Sequence, residues 1–186
     1  MKNKETRTCR LCSETKSIEL FEVDNRVKYG RTNRCKACKS GLEDRARRAF
    51  RHIREKANAV GTEVEVTLSE IKALFETFDG HCAYCSAIEQ SDGPTFHIDH
   101  VVARKEGGRD HISNLVIACP TCNVRKSNKP VVTHYFDDER FKSNNFTVLV
   151  HYLSLHATQP ASVTLDSFVE HHAKYEVRKM WEEMEK

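Results

Sequence analysis

No stretch of this 186-residue sequence approaches the ~20 consecutive apolar residues needed to span a bilayer. The opening, MKNKETRTC, lacks the apolar core of a secretion signal. No cysteine stands alone, because all eight fall in C-x-x-C pairs. These absences give the expectation of a soluble cytoplasmic protein without a membrane partner. In such a reducing compartment disulfides are disfavoured. The chain is 31% charged and 39% hydrophobic, a globular balance that excludes disorder, with room for one domain or two small ones.

The net charge of +3 conceals an asymmetry. Residues 1–56 hold 17 Lys/Arg against 8 Asp/Glu, and the rest hold 13 against 19. A basic front end points to a polyanion partner.

The cysteine pairs are Cys9–Cys12, Cys35–Cys38, Cys82–Cys85 and Cys119–Cys122. A C-x-x-C turn places two thiolates on one side of a metal, and a second turn closes a tetrahedral zinc sphere. A single such pair could be a redox pair; four that exhaust the cysteines point to structural zinc. Pairing sequence neighbours gives two ions, one on Cys9, Cys12, Cys35 and Cys38 and one on Cys82, Cys85, Cys119 and Cys122. Interleaved pairings would force the two modules through each other. Zinc also offsets the small core of such modules, since a structural site contributes ~10–16 kcal/mol to folding.

Between the front pairs, SIELFEV and VKYGRT suggest two short strands with a turn near Asp24–Asn25. Arg10, Lys16, Arg26, Lys28, Arg31, Arg34, Lys36 and Lys39 decorate this module. Residues 42–58 read as a helix with Leu42, Ala46, Ala49, Phe50, Ile53 and Ala57 on one stripe. Its arginines suit phosphate contact or plain surface. Glu43–Arg47, Asp44–Arg48 and Arg51–Glu55 are i, i+4 pairs, whereas Arg45, Arg54 and Lys56 lack one. Gly61 closes the helix, and residues 60–66 form a joint. Thr67-Leu-Ser-Glu70 is a capping box opening a helix with Leu68, Ile71, Leu74, Phe75 and Phe78 on its core face, stopped at Asp79–Gly80. NFTVLVHYLSLH fits alternation as well as a helix, and is read as a helix. Pro160 breaks the chain. Residues 165–185 form another helix with Val169, Ala173, Val177, Met180, Trp181 and Met184 on one side, for packing or dimerisation. His171 and His172 are read as surface residues.

The stretch HIDHVVARKEGG, residues 97–108, sets Asp99 against His100 in a short apolar run and follows it with Lys, Arg and a glycine pair. Asn114-Leu-Val-Ile-Ala supplies a second strand, Cys119-Pro-Thr-Cys122 closes the zinc, and Asn123-Val-Arg-Lys126 runs on as a helix. A strand–strand–helix unit with a metal staple at its base follows. Adjacent strand residues point to opposite faces, so for Asp99 and His100 to serve one phosphate the strand must end or bend there, or the phosphate must straddle its edge. His97 and His111 are read as supporting or surface residues.

In its C-x-x-C at 82–85, D-H at 99–100, G-G at 107–108, N-L at 114–115, C-x-x-C-N at 119–123 and Lys126, the segment 68–130 resembles the HNH endonuclease family, the ββα-metal nucleases. The front half resembles, more loosely, a zinc module placed ahead of such nucleases in phage and bacterial proteins. The resemblance implies a small zinc-stabilised α+β fold, with a ββα-metal, treble-clef-like core and flanking helices. Its division is a zinc module plus basic helix at 1–60, a nuclease domain at 67–130 and a helical extension at 131–186. It also implies the cytoplasm of a bacterial or phage-infected cell.

By the same resemblance His100 is the general base, Asn114 orients it, and Asp99 and Asn123 hold one catalytic divalent ion. The family often has His where Asn123 stands. Two oxygen donors suit Mg²⁺ or Mn²⁺ better than zinc. The partner is double-stranded DNA and the products carry 5′-phosphate and 3′-hydroxyl ends. Arg104, Lys105, Arg109, Arg125, Lys126 and Lys129 surround the site with positive charge, with Lys126 one turn beyond Asn123 and in reach of a phosphate. The competing reading is a zinc-finger nucleic-acid-binding protein that does not cleave; it has no need of Asp99, His100, Asn114 and Asn123 together. Metal analysis of the purified chain is expected to find two zinc ions per molecule. A single ion would mean that the front cysteines share none.

Overall fold

A computed structural model describes residues 5–9, 14–27 and 30–185, with side chains for all of these except 42–44. The chain begins with two small antiparallel hairpins, β1 (Thr6–Thr8) with β2 (Thr15–Ser17), and β3 (Phe21–Val23) with β4 (Arg31–Cys35). The sequence anticipates the second hairpin but not the first, whose three-residue strands are too short to show alternation. Cys9, Phe21 and Cys35 form a small buried cluster of their own, with little apolar surface beyond the thiols.

Helix α1 (Lys36–Val60) starts directly at the second C-x-x-C, six residues ahead of the helix expected from the sequence. It ends where expected, with Gly61 left-handed at φ 71° and its amide bonded to the last turn. Ala46, Ile53 and Ala57 are buried and Ala49 and Phe50 partly so. Leu42, Glu43 and Asp44 lie among the side chains not described. Helix α2 (Leu68–Phe78) carries both halves of the Thr67–Glu70 capping box, and Asp79 takes the left-handed conformation after it. It buries Ile71, Leu74 and Phe75 and packs against α1.

The centre is a third antiparallel pair, β5 (His97–His100) with β6 (Leu115–Ala118), followed by α3 (Pro120–Lys126). All four residues of β6 are buried, which accounts for the unbroken apolar run Leu-Val-Ile-Ala. The loop between the strands holds two 3-10 turns, Arg104–Glu106 and Ile112–Asn114. Three more helices close the fold: α4 (Val131–Asp137), α5 (Ser143–Ala157) and α6 (Ala161–Met184). The helical reading of NFTVLVHYLSLH is correct; α4 has no counterpart in the sequence reading. The expected stripe on α6 differs: Thr164 and Phe168 are its buried residues, while Val169, Val177, Met180, Trp181 and Met184 are exposed. One main core draws on all three segments of the chain, from Ala46 and Ile53 through β6 to Leu153 and Phe168. No described helix is long and apolar enough to cross a membrane.

The loop after β5 closes so tightly that a Cβ on Gly108 would lie 1.8 Å from the Val102 carbonyl oxygen and 2.6 Å from its carbon. Gly107, at φ 85°, makes the left-handed turn before it. Gly108→Ala is therefore expected to push the loop off Val102 and to cost about 1–3 kcal/mol, as other overpacking does, read as a lowered urea midpoint.

Candidate active site and zinc clusters

The thiols of Cys82, Cys85, Cys119 and Cys122 lie within 4.8 Å of one another. Cys85 and Cys119 are 3.8 Å apart, the edge of ~3.8 Å that a tetrahedron with Zn–S of ~2.3 Å requires. The amides of Cys119 and Cys122 donate to the sulfurs of Cys82 and Cys119 at 3.3 and 3.4 Å. The Cys122 thiol, and after it the amides of Cys119, Cys85 and Tyr84, hold the Cys82 thiol down to about 5. Four sulfurs at this spacing fit a tetrahedral zinc ion. In the front module Cys9, Cys35 and Cys38 group in the same way, with Cys9 and Cys38 3.8 Å apart. Cys12, the fourth expected ligand, lies outside the described residues, as do Arg10 and Lys28. Cys122, His134 and Asp138 also converge, but the Arg140 guanidinium sits on Asp138 and reaches Cys122 at 3.7 Å. A cation there opposes a metal.

Asp99 lies on β5 opposite Val116 and is largely buried. Its Oδ2 accepts a hydrogen bond from the Tyr84 hydroxyl at 2.5 Å and faces the Lys126 ammonium at 3.1 Å. Tyr84 belongs to the zinc knuckle Cys82-Ala-Tyr-Cys85, so the knuckle itself positions this carboxylate. Among the described residues no donor is directed at Oδ1. Asn123 is in the first turns of α3, which packs on β5. It is partly exposed, and its side-chain amide has no hydrogen-bond partner among the described residues.

His100 ends β5, opposite Leu115, and the chain bends at Val101 and Val102. Asp99 and His100 do face different polar groups, as adjacent strand residues must. The His100 Nε2 lies 2.6 Å from Asp110 Oδ1. Burial pushes the imidazole below its ordinary range; the hydrogen bond with Asp110 opposes this and the Arg104 charge adds to it. Burial thus favours the neutral form of the His100 imidazole.

Asn114 makes no hydrogen bond to that ring among the described residues. Its Oδ1 accepts from the Val102 amide at 2.8 Å, and its Nδ2 donates to the carbonyls of Val102 and Arg109 at 3.0 Å each. The Asn114 carbonyl accepts from the Val101 amide at 2.9 Å. It fixes the loop that follows His100, at Val101, Val102 and Arg109, rather than the imidazole directly.

The basic residues are largely spoken for. Arg104 bonds to Asp110, Arg109 to Glu65, and Lys129 to Asp137. Arg125 lies 3.6 Å from Asp138. Lys105 is exposed and, among the described residues, has no such partner. Lys126 departs from the phosphate contact expected of it. It is 0% exposed, and its Nζ donates to the His100 carbonyl at 2.7 Å while facing Asp99. An ammonium one turn beyond Asn123 reaches inward because β5 passes directly under that turn. Arg45 is likewise structural: it bonds to Glu89 and lies over the Phe75 ring.

The sequence reading missed Tyr84 and Asp110. An aromatic inside a zinc knuckle, and an acid directly after Gly-Gly-Arg, were the available signals. Lys126→Met is expected to cost about 3–5 kcal/mol in chemical denaturation, because it leaves Asp99 buried without its cation. A phosphate-binding lysine on the surface would leave stability unchanged.

Residues 82–129 match the family described as HNH endonuclease. That span runs from Cys82 to Lys129 and holds the second thiolate cluster, Asp99, His100, Asn114 and Asn123. No curated protein matches the chain. Among solved structures, the crystal structure of the Type II-C Cas9 enzyme from Actinomyces naeslundii aligns at 20% identity with a TM-score of 0.38. The alignment covers 63% of this chain and 13% of that one, and at that score it carries no argument. The match takes in residues 82–129 of the 186, and what it shows is that this segment is similar to HNH endonucleases.

Proposed function

We propose that this protein is a metal-dependent endonuclease of double-stranded DNA. The observation that carries the reading is the pair of oxygen donors on β5 and α3. Among the described residues, Asp99 keeps one carboxylate oxygen without a donor and the Asn123 amide has no partner, and the imidazole of His100, which burial keeps toward its neutral form, stands next to Asp99 in sequence. Residues 67–130 form the nuclease domain in this reading. Residues 1–60, with the net positive charge, position the duplex, and 131–186 are a helical extension.

Asp99 and Asn123 would hold a divalent ion that polarises the scissile phosphate and stabilises the departing alkoxide. The oxygen-only donor pair suits Mg²⁺ or Mn²⁺. Tyr84 and Lys126 occupy Asp99 Oδ2 and so leave Oδ1 for that role. His100 takes a proton from water as the water oxygen attacks phosphorus. The bond from phosphorus to the 3′ oxygen breaks, leaving 5′-phosphate and 3′-hydroxyl ends. Positioned proton transfer of this kind contributes ~10²–10⁴-fold. Of the six basic residues around the site, Lys105 has no ion-pair partner among the described residues and would meet the DNA backbone, with Arg104, Arg109, Arg125 and Lys129 shaping the field around it.

Zinc-loaded protein is expected to cut supercoiled plasmid with Mg²⁺ or Mn²⁺ added. Asp99→Ala, His100→Ala and Asn123→Ala should each lower the rate by 10²-fold or more. The acid limb of kcat/KM should fall below the ordinary imidazole value of 6.5, since His100 stays unprotonated to lower pH. Equal cleavage by wild type and His100→Ala would remove His100 from the mechanism. Tight duplex binding with no cleavage under either metal would make the protein a zinc-finger binder.

A further inference from the structure

Among the described residues the imidazole of His100 has one side-chain partner, and it is not Asn114. Every polar atom of the Asn114 amide is engaged with backbone of the loop. The group at the ring is Asp110, 3% exposed at its side chain, with Oδ1 2.6 Å from His100 Nε2. The same oxygen receives Arg104 Nε at 2.9 Å and Nη2 at 2.6 Å. A carboxylate so paired is an acceptor only. The proton between it and the imidazole must therefore sit on Nε2, which leaves the Nδ1 lone pair unused.

Asp110 is itself held rigidly. Its backbone bridges to Val64 in the joint between α1 and α2, and its carbonyl accepts from the Glu65 amide at 3.2 Å. Arg104 also donates to the Ile53 carbonyl of α1, at 3.4 Å. Asn114 grips the carbonyl of Arg109, the residue before Asp110, and the amide of Val102, two residues after His100. The loop is thus pinned at both ends so that one carboxylate meets one ring nitrogen. His100 keeps 16% of its side chain exposed, so one edge of the ring reaches water.

We propose that Asp110 is a positioning residue for the nuclease reaction: it fixes His100 in the Nε2–H tautomer, so that Nδ1 is the nitrogen that takes the proton from water. The inference rests on the reading of His100 as general base. It adds which nitrogen acts and what aims it. On proton transfer Nδ1 gains the water proton, Nε2 keeps its own, and Asp110 stabilises the imidazolium without being protonated. This is the division of labour between acid and imidazole in hydrolytic triads. Arg104 grips the carboxylate and ties it to α1.

Two measurements test it, one of which needs no activity. Long-range ¹H–¹⁵N spectra of the zinc-loaded full chain, with His100 assigned by loss of its signals in His100→Gln, should show the Nε2–H tautomer. In Asp110→Asn the tautomer should become mixed or switch to Nδ1–H. An Nδ1–H tautomer in wild type, or a tautomer indifferent to Asp110→Asn, would overturn the proposal whether or not the protein cleaves DNA. In plasmid cleavage Asp110→Asn should lower kcat by 10²-fold or more with KM changed less than about threefold. A folded Asp110→Asn protein with wild-type kcat, beside an inactive His100→Ala, would sink the role of Asp110 and leave the base assignment standing. Wild-type cleavage that survives His100→Ala would sink the base assignment instead. Should Asp110→Asn fail to fold, the wild-type tautomer alone still decides.

Discussion

Four thiols converging on one point hold the central unit together. Cys82 and Cys85 follow α2, and Cys119 and Cys122 open α3, so their convergence fixes the end of one helix to the start of another with β5 and β6 between them. The same knuckle carries Tyr84, fully buried, whose hydroxyl meets Asp99. Thiolate geometry is thereby transmitted to a carboxylate on the neighbouring strand through a single rigid side chain. A small sheet of two four-residue strands is too little to set such a site unaided.

β5 then divides two buried polar clusters. On one side lie Asp99, Tyr84 and Lys126; on the other, His100, Asp110 and Arg104. Each contains one acid, one cation and one further hydrogen-bonding group. Burying such charges is expensive unless they are paired, and both acids are. The pairing fixes geometry more than it adds stability. Among the described residues, one carboxylate oxygen of Asp99 and the Nδ1 of His100 have no hydrogen-bond partner. Lys126 links the two clusters, because its ammonium faces Asp99 while bonding the His100 carbonyl.

Much of this was legible along the chain. The capping box at Thr67, the helix stop at Asp79–Gly80, the strand–strand–helix order and the central cysteine quartet all follow from local chemistry, and local chemistry is what residue types and spacing encode. The front hairpin β1–β2 and helix α4 were not legible, because three-residue strands and a seven-residue helix carry too few periods. The apolar stripe on α6 was read correctly as a stripe, yet much of it faces out in the single chain. Periodicity identifies an amphipathic helix; it does not identify what covers it. Asp99, His100, Asn114 and Asn123 stand out by type and order, whereas the roles of Tyr84, Lys126 and Asp110 do not.

By itself, the sequence determined the thiolate quartet of the central unit, the order of the elements around it and the oxygen donors that suit a hard divalent ion. Each of these depends on residue type and short-range spacing. Only the tertiary structure decided the direction of side chains: that Lys126 turns inward to Asp99, that Asn114 grips the loop instead of the ring, and that Asp110 meets His100 Nε2. Those outcomes hang on which backbone passes beneath a helix turn and where a fourteen-residue loop closes. Contacts of that kind form between segments far apart along the chain, and no local pattern carries them.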